Sequence, residues 1–304
     1  SVLMRAGVKV IGNKTPVYIT GAITVFYDST TGGAAWFETN GLDFYGDANV
    51  VAIWHGHHLT DSLIINNCRV LNASGAAFTT FAVDDSSDSW MVLNTNFLNS
   101  YKVLWGGQYS TFDNCLFQST TTGASATGIV EFNTDNNTIR GCRGIKRDAV
   151  AAGNTFLHLT ERGDGSPVLY GMKIIDFELT VQDSTAGTGI YVLLGSANGT
   201  IDNFRILTPP TARKQLAHGI YLDGGASTAG WTVKNCYIFG ATTNAFTNYA
   251  DNSFYSDNHV KNSNIGIFFH VNGTNSGYDV ISVDDVTTNI SGTAYVAGNV
   301  RDLD

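Results

Sequence analysis

Val233-Lys234-Asn235-Cys236-Tyr237-Ile238-Phe239-Gly240, followed by Asn244-Ala245-Phe246, is the stretch on which the fold turns. It sets an apolar residue, any residue, an asparagine and a small residue in order, and then opens a second apolar segment. The first half recurs as Ile65-Asn66-Asn67-Cys68, Phe112-Asp113-Asn114-Cys115 and Ile201-Asp202-Asn203-Phe204, with weaker copies ending at Asn96, Cys142, Phe177, His259 and Val286. From Cys68 to Val286 the eight steps average about 27 residues, inside the range of solenoid repeats. Three positions before each copy's end stand Ile65, Leu93, Phe112, Ile139, Ile174, Ile201, Val233, Ser256 and Val283, so all but one are apolar. The spacing predicts an inward-facing ladder. One position before the end stand Asn67, Thr95, Asn114, Gly141, Asp176, Asn203, Asn235, Asn258 and Asp285. Most of these residue types tolerate a left-handed backbone, so a tight corner is expected there.

The second half recurs at the same interval, as Gly128-Ile129-Val130-Glu131, Gly189-Ile190-Tyr191, Gly219-Ile220-Tyr221 and Gly266-Ile267-Phe268. Two independent ladders therefore agree on one register. Runs such as Val168–Tyr170 and Ser253–Tyr255 add a third strand to the coil. Strands too short to bury a face alone, stacked once per coil about 4.8 Å apart, make an all-β parallel solenoid. An antiparallel sandwich or propeller would alternate its turn chemistry instead of repeating one asparagine corner. Residues 1–60 fit the repeat less well, although Thr24-Val25-Phe26 and Val50–Trp54 read as strands, and they are expected to form early coils and a cap. Residues 61–304 form the body, and no Pro-rich or low-complexity stretch divides the chain.

Composition agrees. The 304 residues hold 33 glycines but four prolines, and 43% are hydrophobic, enough for a core. With 17 basic against 26 acidic residues the formal net charge is -9, which leaves no basic field for a nucleic acid. No apolar run is long enough for a membrane helix, and Ser1–Thr20 lacks the order of a signal peptide, so membrane insertion is not expected and any export signal lies outside this chain. Cys68, Cys115, Cys142 and Cys236 share one column and are expected to be buried structural thiols, because equivalent positions point their Cβ atoms in parallel. No metal set accompanies them, and His55, His57 and His58 lack a third ligand, so neither metal nor cofactor is expected.

The Asn-Cys and Gly-Ile-aromatic copies resemble those of right-handed parallel β-helix proteins of the pectin-lyase-like group, over about residues 50–300. Within that group, which spans pectate lyases, polygalacturonases, epimerases and phage tailspikes, the chain is most similar to the single-stranded β-helix body of a bacteriophage tailspike. The resemblance implies a homotrimer on a virion tail that binds and hydrolyses a bacterial surface polysaccharide, capsule or O-antigen. A non-catalytic receptor-binding tail protein and a secreted polysaccharide lyase are the alternatives. Asn133-Thr134-Asp135 matches the first polygalacturonase motif, but that family's later motifs do not follow it, so its activity is not transferred.

Functional residues of a solenoid gather where coils grow. Three long insertions carry Asp84, Asp85, Asp88 and Trp90, then Glu161 and Asp164, then His270 to Asp279. If the residue after each motif glycine points inward, Tyr191, Tyr221 and Phe268 point outward on one face, with Asp223 and His270 following and Glu131 and His158 near its edge. Rings beside acids suit a sugar groove. Glu161, Asp164, Asp223 and Glu131 are the candidate catalytic acids. Tyr191, Tyr221, His158, His270 and Trp90 are the candidate substrate contacts. A lyase would draw instead on Arg213, Lys214 and His218, expected in the loop 208–218.

Overall fold

The computed structural model describes residues 2–3, 7–21, 23–27, 36–46, 52–56, 62–72, 81–83, 89–98, 108–118, 130–132, 135–146, 155–159, 170–182, 187–193, 195–207, 216–224, 228–292 and 298–303. All regular structure among them is strand, and every strand pairing is parallel. Each coil lays one strand segment on each of three faces, and the ladders of the first face run Ile65, Val92, Phe112, Ile139, Ile174, Ile201, Val233, Tyr255, Tyr278 in unbroken register. The steps vary from 20 to 35 residues and average about 27. All of these side chains are buried, seven of them at 0% exposure up to Val233.

Three corners separate the faces, and each is turned by left-handed residues. The first is built by Asn67, Asn94, Asn114, Gly141, Asp176, Asn203, Asn235 and Asp257, with φ between 50° and 60°. The second includes Gly240, Asn262 and Asp285, and the third Asn136, Gly171, Asn198, Gly230, Asn252 and Asn275. Asn and Asp pay least for this region among residues with a side chain, because their short polar groups bond locally. On the first corner they also bond each other: Asn94 Nδ2 donates to Asn66 Oδ1 at 3.1 Å, and Asn114 Nδ2 to Asn94 Oδ1 at 2.8 Å.

Three weak copies of the repeat are corrected here. The first corner passes through Asn94 and Asp257, one residue before Thr95 and Asn258, so Val92 and Tyr255 hold the ladder in place of Leu93 and Ser256. Leu93-Asn94-Thr95-Asn96 and Ser256-Asp257-Asn258-His259 each offer two phases to an apolar-any-Asn pattern, and burial of Val92 selects the other one. Asp285 sits on the second corner beside Asn262, and Tyr278 continues the first-face ladder in place of Val283.

The residue after a corner explains the cysteines. Its carbonyl accepts from the next coil, as Cys115 O does from Arg143 N, while its own N–H is left outside the strand ladder. A side chain from the following coil takes it: Cys68 N donates to Thr95 Oγ1, Cys115 N to Cys142 Sγ at 3.3 Å, and Cys236 N to Asn258 Oδ1 at 2.9 Å. The third corner does the same, with Ser110 N donating to Asn137 Oδ1 and Ser253 N to Ser276 Oγ. The four thiols are free and buried, and burial pushes that of Cys236 up to about 12.

The first strands follow the same plan. Val8–Ile19 pairs with Phe37–Gly46, which pairs in turn with Leu63–Asn66 and Arg69–Asn72. Thr24–Tyr27 and Ala52–Gly56 pair in parallel beside them, with Phe26 opposite Trp54.

Candidate functional site

The third face carries the candidate site, and its local cause is the Gly-Ile-aromatic motif. A Cβ on Gly219 would stand 2.5 Å from Ala245 O and 2.7 Å from the Ile238 side chain, and one on Gly189 would meet Gly219 O at 2.6 Å. Only glycine lets the chain turn this closely against the core. The isoleucines that follow, Ile190, Ile220 and Ile267, are fully buried, which sends the next residues outward. One outer column then reads Glu131, His158, Tyr191, Tyr221, Thr247, Phe268, Ser291. Two residues further along each strand a parallel column holds Leu193, Asp223, Tyr249 and His270, placed by their N–H bonds to the coil before.

The rings form one continuous stack. Tyr191 and Tyr221 have centroids 5.2 Å apart with planes 27° from parallel, Tyr221 and Tyr249 5.6 Å and 18°, and Tyr249 and His270 4.1 Å and 22°. Tyr191 donates its hydroxyl to Asp223 Oδ2, joining ring and acid across one coil step. Burial first, and then the bond to Asp223, pushes the Tyr191 phenol well above its ordinary range; burial and the hydroxyl of Tyr249 do the same for Tyr221. Both phenols stay protonated at neutral pH. His218 stands edge-on to Tyr221 at 5.1 Å, and its Nδ1 shares a 3.0 Å hydrogen bond with Thr247 Oγ1. Asn244 Nδ2 donates to the same Thr247 oxygen at 2.9 Å, while its buried Oδ1 has no hydrogen-bond partner among the described residues.

Of the residues expected from sequence, the structure brings Tyr191, Tyr221, Asp223 and His270 together on this strip. Glu161 and Asp164 lie outside the described residues, as do Asp84, Asp85, Asp88, Arg213 and Lys214. Glu131 is on the same column three coils before Tyr221. That is about 14 Å of backbone from the coil of Asp223, wider than the roughly 6.5–9.5 Å used by an inverting pair of carboxylates.

Three expectations are corrected. Trp90 is fully buried: it follows the left-handed Ser89, and the residue after that corner points into the core as Trp231 does. His158 keeps its place in the outer column, but only 9% of it is exposed, so it supports Tyr191 at 5.4 Å and does not face substrate. His218 lies in the strand Leu216–Leu222, outside any loop, and burial lowers its pKa. Asp135 of the isolated Asn-Thr-Asp motif accepts Tyr170 N at 2.8 Å and so serves the third corner.

Sequence reasoning missed Tyr249, the ring that joins Tyr221 to His270. Asp223 and His270 were both visible, and writing out the column between them reaches Tyr249 directly.

Burial also makes His158 a pH-sensitive element. Its pKa is pushed down to about 4 from 6.5, and its Nδ1 has no hydrogen-bond partner among the described residues to compensate. Between these values the unfolded chain binds more protons than the folded one, so this contribution is complete above pH 6.5 and is lost as pH falls towards 4. The expected loss is about 2 kcal/mol between about pH 7 and about pH 5. Urea unfolding of the parent and of His158→Phe at both pH values measures it: the variant lacks this part of the slope, and equal slopes would show His158 protonating freely.

Comparison with solved structures sets this arrangement among known folds. The Streptococcus pneumoniae surface protein and adhesin PfbA superposes with a TM-score of 0.59 at 12% identity, over 99% of this chain and 89% of that one. The chain has the fold of the right-handed parallel β-helix proteins. Looser likenesses are the catalytic domain of a GH87 alpha-1,3-glucanase in complex with tetrasaccharides, TM-score 0.40 at 13% identity over 99% and 64% of the two chains, and the periplasmic alginate epimerase AlgG, 0.47 at 11% over 94% and 77%. No protein-family model and no curated protein matches the sequence.

Proposed function

We propose that the protein binds a polysaccharide along the strip formed by Tyr191, Tyr221, Asp223, Tyr249 and His270. The observation that carries this is the Tyr191–Asp223 hydrogen bond inside a half-exposed row of rings, which holds a carboxylate in a fixed position on an outer face. A rigid sheet is a precise support for such a group, and the β-helix is a scaffold that also builds an adhesin.

The finer reading is a tailspike body: a homotrimer on a virion tail that hydrolyses the capsule or O-antigen it binds. Its support is the resemblance of the repeat, together with the acids Glu161 and Asp164, which belong to the insertion two coils before Asp223. The non-catalytic adhesin is the second reading, favoured by the single carboxylate among the described residues of the strip. A lyase is the third reading: both Tyr191 and Tyr221 are held protonated, so its base would be His218, which burial keeps neutral beside Tyr221.

Incubation with purified capsule and O-antigen, followed by product mass, separates these readings. Water added at the cleaved bond means hydrolase, an unsaturated sugar means lyase, and binding without cleavage means adhesin. For a hydrolase, at least one of Glu161→Gln, Asp164→Asn and Asp223→Asn should lower turnover by roughly two orders of magnitude or more while binding is retained. Full turnover in all three moves the site to the Asp84–Asp88 loop. Light scattering tests the trimer, and a monomer at micromolar concentration counts against it.

A further inference from the structure

We propose that the strip selects an uncharged or amino-bearing glycan whose chain runs along the solenoid axis, and rejects uronate chains. This rests on the carbohydrate reading above and specifies its ligand.

The ring geometry gives the first reason. Tyr191, Tyr221, Tyr249 and His270 lie at near-parallel planes 4.1 to 5.6 Å apart, so both faces of Tyr221 and Tyr249 and one face each of Tyr191 and His270 are taken by neighbours. What these rings turn outward is edges and hydroxyls. A sugar laid on the strip is therefore held by hydrogen bonds, one coil step of about 4.8 Å after another, and not by stacking on exposed ring faces.

The balance of donors and acceptors gives the second. Tyr191 spends its only hydroxyl proton on Asp223, a carboxylate accepts and cannot donate, and the other oxygen of Asp223 has no partner among the described residues. His270 Nδ1 takes the N–H of Asn272 at 3.2 Å, which leaves the ring proton on Nε2. The free oxygen of Asp223 is matched by a ligand hydroxyl or ammonium group. A uronate brings further acceptors and a second negative charge.

The charges give the third. Neither outer column of the strip carries a lysine or arginine among the described residues, and burial keeps His158 and His218 neutral at pH 7. Nothing described there neutralises an incoming carboxylate beside Asp223.

Matched probes test this: polygalacturonate against the same chain carboxyl-reduced to a neutral galactan, alginate against its carboxyl-reduced form, and chitosan, all spotted with an array of bacterial surface polysaccharides. Binding is expected on neutral or amino-bearing chains and at least tenfold weaker on uronate chains. Asp223→Asn should narrow that ratio by raising uronate binding relative to neutral, and Arg213→Ala combined with Lys214→Ala should leave neutral-chain binding unchanged. Preference for uronate chains, or loss of binding in the Arg213 and Lys214 double variant, overturns the ligand class and leaves the carbohydrate reading standing. No binding to any chain overturns both.

Discussion

Ile201→Asp should yield no soluble folded protein. Ile201 has no exposed surface and is locked in register between Ile174 and Val233 on the first-face ladder. An aspartate there either buries an unpaired charge or takes up a proton, and each route costs several kcal/mol on top of the lost isoleucine packing. That is a large part of the 5–15 kcal/mol that holds an ordinary domain. A solenoid is more exposed to this than a globular core, since each coil touches only its neighbours and a failed coil severs the stack on both sides. Ile201→Val keeps shape and polarity and should cost about 0.5–1.5 kcal/mol. Soluble yield and the thermal melt by circular dichroism distinguish the two. An aspartate variant that melts like the parent would show that the ladder is misassigned.

The second large effect is at Trp231, which is 1% exposed and donates its indole N–H to Ser196 O at 3.1 Å. Its ring fills the space above Gly199, where an added Cβ would fall 2.3 Å from two ring carbons. Trp231→Ala removes a large buried ring and one of two donors to the Ser196 carbonyl, which keeps the Ala229 N–H, for an expected cost of about 3–5 kcal/mol. Gly199→Ala in the parent forces the ring to move and destabilises as well. Combined, the two changes relieve each other, because the methyl occupies space the indole has left, so their effects should fall short of additivity by about 1–3 kcal/mol. Denaturant unfolding of the four proteins closes this cycle. Strict additivity would mean that ring and glycine do not share the space the structure gives them.

The sequence showed most clearly what repeats. Ile65, Phe112, Ile139, Ile174, Ile201 and Val233 could be placed without coordinates, because a parallel stack forces equivalent residues to serve equivalent positions. Phase errors arose where two Asn or Asp residues lie close together, as at Asn94 and Asn96, and only packing chooses between them. Trp90 was misread for a related reason: it follows an acidic insertion, so it looked like loop, whereas its corner mate Trp231 shows the inward facing of that position. On the site, the Gly-Ile-aromatic ladder was enough to put Tyr191 and Tyr221 outward and Asp223 beside them. Tyr249 escaped because Thr247 interrupts the aromatic column at that coil. The stacking of the rings, and with it the loss of their faces to a ligand, depends on side-chain torsions that no periodicity encodes.

The corner amides give the molecule a direction. At Cys68, Ser110, Cys115, Cys236 and Ser253 the donor belongs to the earlier coil and the accepting side chain to the later one. A nascent chain leaving the ribosome thus always carries one unfinished coil at its growing end, whose corner amides wait for the side chains of a coil not yet made. Assembly advances like a zipper with one handed slider, each coil sealed by its successor. Fraying takes the same route backwards, so amide exchange with solvent should spread from the carboxyl-terminal coils toward the amino-terminal ones.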